Sequence, residues 1–218
     1  MKKILTITLL IAISLITLGF SSGDVYDSFN IKGLYDYQKE YESEEVYACA
    51  LGNSKTYMDY RATTDPSSVQ YWFIRNNMEV DEVTGFLLDE DGFIGAALGS
   101  YFGNIGDRFY FTLDSGVVLP IVKVEEKADR DTDPTGCYHS KDGSVIEFVI
   151  DSTIAGDYFG RYGNGLVLQG NYANYSIFKG DIVKIEKATD TKREDYVTYV
   201  NSPEIVYTEN IFEYASGY

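Results

Sequence analysis

The sequence predicts an all-β fold, a small barrel or sandwich with extensions at both ends of the chain. Tyrosine, phenylalanine and glycine occur 20, 12 and 20 times, whereas proline occurs only 4 times. Aromatic residues favour strands and glycine favours turns. Short apolar runs are separated by Asp-Gly and Asn-Gly turns, which are strong hairpin signals. Long amphipathic helical patterns do not lie between these turns, so a helical bundle is not expected.

The first 22 residues have the pattern of a secretory signal peptide. A basic start is followed by the uncharged, mostly apolar run Ile4–Phe20 and then by three small residues. This order is typical of export signals. Because the run is only slightly shorter than a membrane span, an uncleaved anchor is the alternative. Cleavage near Ser22 predicts a secreted protein with no membrane contact after the signal is removed.

The charge of the chain argues against several classes of partner. Acidic side chains number 34 and basic ones 18, which gives a formal net charge of −16. A surface this negative has few lysines or arginines to neutralise phosphates, so nucleic acid is not an expected partner. Non-specific adhesion to anionic membranes or cell-wall polymers is disfavoured for the same reason. The oligomeric state is left open by the sequence.

Three segments follow the predicted signal peptide. Residues 23–48 interleave tyrosine and acids without a clear period and predict an irregular or partly helical extension. Residues 49–190 carry the β-rich runs and predict the β domain, and residues 191–218 form a C-terminal extension. Turn residues divide the β domain into strands. The turns are Asp91-Gly92, Asp114-Ser115-Gly116, Asp142-Gly143, Gly163-Asn164-Gly165 and Lys179-Gly180-Asp181.

The strand segments differ in how many of their faces are apolar. Arg108–Leu113 alternates, with Phe109, Phe111 and Leu113 on one face, and predicts a half-buried strand. Val117–Val124 is apolar on both faces and predicts a strand inside a closed or covered sheet. Phe93–Tyr101 contains small residues where another backbone has to approach closely.

Two cysteines, Cys49 and Cys137, are the whole cysteine content of the chain. Export would permit a disulfide between them, but the sequence does not give their separation. A structural bridge and two unpaired thiols are therefore both open. A nucleophilic Cys137 beside His139 is disfavoured, because no basic neighbourhood would activate the thiol.

Glu147 is the strongest candidate in the sequence for a catalytic residue. It interrupts the apolar run Val145–Ile150, so its carboxylate is expected to lose water. Loss of water favours the protonated carboxyl that a general acid needs. The alternative is a structural carboxylate that is hydrogen-bonded, paired with an arginine, or exposed on an edge strand.

Asp129, Asp131 and Asp133 occur at two-residue spacing, like the start of a calcium-binding loop. Pro134 and Ser140 occupy the positions where an EF-hand needs glycine and glutamate, so an EF-hand is excluded and a solvated loop is favoured. Serine-hydrolase, zinc-protease, phosphate-loop and dinucleotide motifs are absent from the sequence. The sequence predicts no metal ion and no cofactor.

The order of several short motifs resembles a known family. Ile94–Phe102 is followed by Ile105-Gly106-Asp107, Lys127–Asp133 and Val145–Phe148. This order is similar to that of the RlpA-like and three-aspartate (3D) double-psi β-barrel domains of exported bacterial cell-wall proteins, and of a group of uncharacterised secreted proteins. The resemblance implies a six-stranded double-psi-like barrel that is secreted or cell-wall associated, with cell-wall glycan as its partner.

The resemblance also implies site residues. The family's Asp-Thr-Gly strand end falls on Asp131-Thr132, with Asp133 where glycine is usual, and the catalytic aspartate of the lytic transglycosylases falls on Glu147. Another family aspartate has no counterpart. The implied catalytic residues are Glu147 and Asp131, and the implied substrate-binding residues are Tyr101, Phe102 and Asp133.

Two functional classes follow from this resemblance. In a lytic-transglycosylase-like enzyme, Glu147 would protonate the glycosidic oxygen of peptidoglycan and then accept a proton from a substrate hydroxyl. The alternative is a non-catalytic secreted module that binds glycan or has a structural role, with or without stabilising calcium. The acidic chain and the incomplete set of aspartates favour that module.

Overall fold

The computed structural model describes residues 34, 37–47, 52–161 and 171–193. The predicted signal peptide (1–22), Cys49, the turn Gly163-Asn164-Gly165 and most of the predicted C-terminal extension lie outside these residues. Within the described part of the chain, no helix has both the length and the apolar character needed to cross a membrane.

Nine strands and two short helices form the described structure. The strands are β1 Tyr41–Val46, β2 Thr56–Asp59, β3 Glu79–Val80, β4 Leu87–Leu88, β5 Ile94–Leu98, β6 Arg108–Leu113, β7 Val118–Glu126, β8 Glu147–Ile150 and β9 Ile182–Lys192. The helices are α1 Val69–Asn77 and α2 Ser152–Phe159. The strands pair in the order β1-β9-β6-β7-β5-β4-β3, and β8 pairs with both β5 and β2.

The predominantly β class predicted from the sequence is confirmed, but the strand pairing does not close into a ring within the described residues. β5 is a branch point, because it pairs with β7 along one edge and with β4 and then β8 along the other. The predicted irregular segment 23–48 contributes β1, which is antiparallel to β9. The sheet therefore has more strands than the six implied by the resemblance.

The turn chemistry predicted from the sequence is confirmed at two hairpins. Asp91-Gly92 connects the antiparallel strands β4 and β5, and Asp114-Ser115-Gly116 connects β6 and β7. Gly116 has φ of 86°, in the left-handed region that glycine adopts without steric cost. Lys179-Gly180-Asp181 lies directly before β9, as predicted.

Two clusters of buried apolar side chains make up the core. The larger contains Phe109, Phe111 and Leu113 of β6, and the smaller contains Tyr110 of the same strand together with Ile74 of α1. The predicted alternation of β6 is therefore confirmed. The structure differs from the prediction in one respect: on the second face of β6, Tyr110 is also buried, at 0% exposure, while Arg108 and Thr112 are partly exposed.

A close backbone approach, predicted for the small residues of Phe93–Tyr101, occurs at Gly99. A Cβ atom on Gly99 would lie 1.9 Å from the carbonyl oxygen of Gly136. Tyr101 N donates a hydrogen bond of 3.1 Å to that same oxygen. The turn after β5 is therefore packed directly against the loop that follows β7.

Cys137 is disulfide-bonded, and the described residues contain no free cysteine. Of the two alternatives that the sequence left open, two unpaired thiols are therefore excluded. The only other cysteine in the chain is Cys49.

Candidate active site

Two glutamates lie on the two strands that flank β5, the strand at which the sheet branches. Ala97 on β5 pairs with Glu125 on β7 and with Glu147 on β8. Side chains in register on neighbouring strands project to the same face. Two strand spacings separate the Cα atoms of the glutamates by roughly 10 Å. Both glutamates are half-buried, and we call Glu125 and Glu147 the glutamate pair.

Glu125 is held by the segment that leads into α1. Thr63 Oγ1 donates a 3.0 Å hydrogen bond to Glu125 Oε2. Ser68 caps α1 by accepting a hydrogen bond from Tyr71 N, which places Gln70 in the first turn. Burial raises the pKa of Glu125, hydrogen bonding by Thr63 and Gln70 opposes the change, and the negative charges of Glu147 and Glu126 add to it.

Glu147 has a cation in its neighbourhood. Lys127 is only 6% exposed, and its Nζ donates a 3.0 Å hydrogen bond to the carbonyl oxygen of Ser144. Burial lowers the pKa of Lys127 to about 8, and attraction to Glu147 and Asp142 opposes that change. The two members of the glutamate pair repel each other, but their other charged neighbours differ: Glu126 acts on Glu125, whereas the ammonium group of Lys127 interacts with Glu147.

A second buried lysine fixes the turn beside the site. Lys123 Nζ donates hydrogen bonds to the carbonyl oxygens of Gly99 at 3.0 Å and Gly103 at 2.8 Å. The same atom lies 2.9 Å from Glu126 Oε2. Each ammonium proton thus has a partner, which is required for a lysine with 0% exposure. These contacts hold the segment that carries Tyr101.

The structure places Asp131 and Asp133 on the loop after β7, in different surroundings. Asp133 is 8% exposed, and its Oδ1 accepts hydrogen bonds from Cys137 N at 2.7 Å and Tyr138 N at 3.0 Å. Burial raises the pKa of Asp133, but hydrogen bonds from Thr135, Tyr138 and Cys137 outweigh it and lower that pKa to about 2. The Asp131 side chain is 45% exposed and lies 3.6 Å from Arg130 Nε.

The three loop acids do not converge on a common point. Asp129 accepts a 2.8 Å hydrogen bond from Ser100 Oγ, Asp131 lies beside Arg130, and Asp133 binds its own loop. Within the described residues, no group of three or more histidine, cysteine or acidic side chains could hold a metal ion.

The two aromatic residues predicted to bind substrate differ in their exposure to solvent. Tyr101 is 37% exposed, and its hydroxyl donates a 2.8 Å hydrogen bond to the carbonyl oxygen of Tyr47. Phe102 is 2% exposed and packs against Phe109 and Phe111 in the larger core cluster. Tyr101 can contact a ligand, whereas the ring of Phe102 is covered by the core.

A cleft of about 1020 Å³ lies at the other end of α1, and it does not include the glutamate pair. Its walls include the C-terminal end of α1 and parts of β3 and β4. Acids outnumber bases along it, and Arg108 pairs with Asp89 at 2.7 Å. It has the volume of a ligand pocket, but the chemistry predicted from the sequence lies elsewhere.

Glu125 and Lys127 were not predicted to belong to the site. Glu125 follows a run of apolar residues, which is a weak signal that a carboxylate lies at the edge of the core. Its alignment with Ala97 depends on a register shift between Ala96 and Ala97, which no local pattern reveals.

Comparison with known proteins found no matching family model, no matching curated protein and no matching solved structure. The function therefore has to be inferred from the chemistry of the residues and their contacts. Four features are typical of an active site. They are the half-buried glutamate pair, the buried Lys127, and the exposed side chains of Tyr101 and Asp131.

Proposed function

We propose that this chain is an exported protein that acts on the glycan strands of the bacterial cell wall, with Glu147 as the reacting carboxylate. The observation that carries the proposal is the position of Glu147, half-buried at the start of β8, coupled to buried Lys127 and across Ala97 from Glu125. A partly desolvated carboxylate next to other titratable groups is typical of a proton-transfer site.

We further propose that the sheet is related to the double-psi barrels of the RlpA-like and three-aspartate domains. Parallel pairing of β5 with β7 and of β2 with β8, joined by the antiparallel pair β5–β8, supports this relation. The close approach of Gly99 to Gly136 also supports it, because it brings the two loops that carry the family motifs together.

With one carboxylate, the chemistry is that of a lytic transglycosylase. The carboxyl of Glu147 donates its proton to the glycosidic oxygen, and the bond from that oxygen to the anomeric carbon breaks. The resulting carboxylate accepts a proton from a hydroxyl of the same sugar, whose oxygen bonds to the anomeric carbon to give an anhydro sugar. The exposed Asp131 can hold a sugar hydroxyl, and Tyr101 can stack on a ring.

The test is cleavage of purified peptidoglycan by the mature protein, followed by chromatography and mass spectrometry of the products. Glu147→Gln removes the titrating oxygen with little change of shape, and we expect activity to fall by about 100-fold or more. Asp129→Asn is the control, since Asp129 is exposed and bonded to Ser100. Wild-type protein that leaves the glycan strands uncut would refute the proposed activity.

A second candidate function is a secreted module that binds cell-wall glycan without cleaving it. Two of the five residues implied by the resemblance are used by the fold, because Asp133 is bonded to its loop and Phe102 is buried. Binding to insoluble peptidoglycan that is unchanged by Glu147→Gln, with no products released, would favour the module.

A further inference from the structure

We propose that the cleft at the C-terminal end of α1 binds a basic peptide. The peptide lies extended along β3, and its lysine or arginine side chains reach the carboxylates of the cleft walls. The cleft does not include the glutamate pair, so this site is separate from the one proposed to act on glycan.

The cleft is large enough for a peptide segment and is partly apolar. Its volume of about 1020 Å³ is at the upper end of the range for ligand pockets in proteins. Phe73, Met78 and Val80 line it, and each is only half-buried, so part of its surface is accessible. The methylene stems of lysine and arginine pack on such surfaces while their charged ends extend to polar groups.

The walls of the cleft carry an excess of negative charge. Two arginines line it, and the acidic residues that line it are Glu79, Asp81, Glu82, Asp89, Glu90, Asp107 and Asp190. Arg108 is already paired, with Asp89 at 2.7 Å and Asp91 at 2.7 Å. Arg75, the other arginine, lies over the ring of Tyr71, with 4.8 Å between the guanidinium carbon and the ring centre. The cleft therefore favours a cationic ligand over an anionic one.

The carboxylates left for a ligand are spread along the cleft. Four of the wall acids form no ion pair with another described residue, namely Glu79, Glu82, Glu90 and Asp190. They come from β3, the segment after it, the turn between β4 and β5, and β9. In the part of the chain that the structure describes, no three acidic, histidine or cysteine side chains converge to hold a metal ion. Separated negative charges along one cleft match a ligand that carries several positive charges at intervals.

The free edge of β3 favours a peptide over other polycations. β3 is the last strand in the order of the described sheet and pairs with β4 alone. Glu79 and Val80 thus present a backbone edge with no neighbouring strand among the described residues, and both line the cleft. An extended peptide can add to such an edge through main-chain hydrogen bonds. A polyamine has no carbonyl groups and cannot form this pairing.

The experiment titrates the mature protein with a short blocked peptide that alternates lysine with leucine, using isothermal titration calorimetry. The variant combines Glu79→Gln with Glu82→Gln, two exposed positions where the amide keeps the shape of the side chain. We expect its affinity for the peptide to fall by about 10-fold or more, because two charged contacts are lost. The affinity of the wild type should also fall with rising salt. Thermal melting checks that each variant is folded.

A matched control combines Glu42→Gln with Glu44→Gln. Both of these glutamates are exposed on β1, at the opposite end of the strand order. The control removes the same charge from the molecule, and we expect it to bind the peptide as the wild type does. Amide hydrogen exchange at Glu79 and Val80 should slow when the peptide is bound to the wild type.

Four results would overturn the proposal. An equal loss of affinity in both double variants would mean that the peptide is attracted only by the overall charge of the chain. Spermine bound as tightly as the peptide would exclude pairing with β3. Equal binding of a peptide that alternates glutamate with leucine, or no binding of the basic peptide, would exclude the site. Since no glycan is used, these results leave the test of the proposed function unaffected.

Discussion

Asp133 and Glu125 are both acidic side chains withdrawn from bulk water, but their environments act on them in opposite directions. Asp133 accepts hydrogen bonds from the backbone of Cys137 and Tyr138 and from Thr135, and its pKa is lowered to about 2 despite burial. Glu125 has side-chain donors only, lies among other carboxylates, and its pKa is raised mainly by burial.

The difference shows which acidic side chains have a structural role. Backbone donors from a tight loop stabilise the charged carboxylate and use its lone pairs, so Asp133 holds the loop together. A carboxylate that loses water without such donors keeps a proton more readily and can exchange it with a ligand. The sequence motif drew attention to Asp133, but the contacts indicate that the glutamate pair is better suited to chemistry.

The largest effect on the free energy of unfolding should come from Asp133→Asn. This variant tests whether Asp133 holds its loop together. An amide has only one acceptor oxygen, so part of the loop bonding is lost, and we expect the free energy of unfolding to fall by about 2 kcal/mol. Because the folded pKa is depressed, this stabilisation is present above about pH 3.8 and is lost as pH falls towards about 2. Urea denaturation at several pH values measures it. Asp131→Asn is the control, and an equal loss there would remove the distinction.

A smaller effect of opposite sign is expected for Glu125→Gln. The amide avoids the cost of a buried charge and keeps an acceptor for Thr63, so stability near neutral pH should rise by up to about 1 kcal/mol. Since the folded pKa of Glu125 is raised above 4.5, its contribution to stability falls as pH rises above 4.5 through the folded value. The same denaturation series should therefore show a flatter pH dependence for this variant. A clear loss of stability would mean that Glu125 is structural, like Asp133.

The smallest effect is expected for Asp129→Asn. Asp129 is exposed and its carboxylate accepts a 2.8 Å hydrogen bond from Ser100, so we expect the stability to change by no more than about 0.5 kcal/mol. Cleavage of peptidoglycan should be unaffected. A large loss of stability or of cleavage would show that Asp129 acts together with the other loop acids. The separation of Asp133 from the glutamate pair by role would then be wrong.

The site was only partly predictable from the sequence. Glu147 was identified because a carboxylate within an apolar strand is visible in the local pattern, and the structure confirms the strand. Tyr101 and Phe102 are neighbours in the chain, but only Tyr101 is accessible, since the 3₁₀ turn Ser100–Phe102 directs the second ring into the core. The accessibility of these two rings depends on residues distant in the chain.

By itself, the sequence determined the β class, the hairpins at Asp91-Gly92 and Asp114-Ser115-Gly116, and the alternating faces of β6. These features depend on turn geometry and side-chain alternation over a few adjacent residues. Only the tertiary structure decided that β5 branches, that Glu125 aligns with Glu147, and that Asp133 is used by its own loop. Those outcomes depend on strand register and packing between segments far apart in the chain, where a shift of one residue changes which side chains meet.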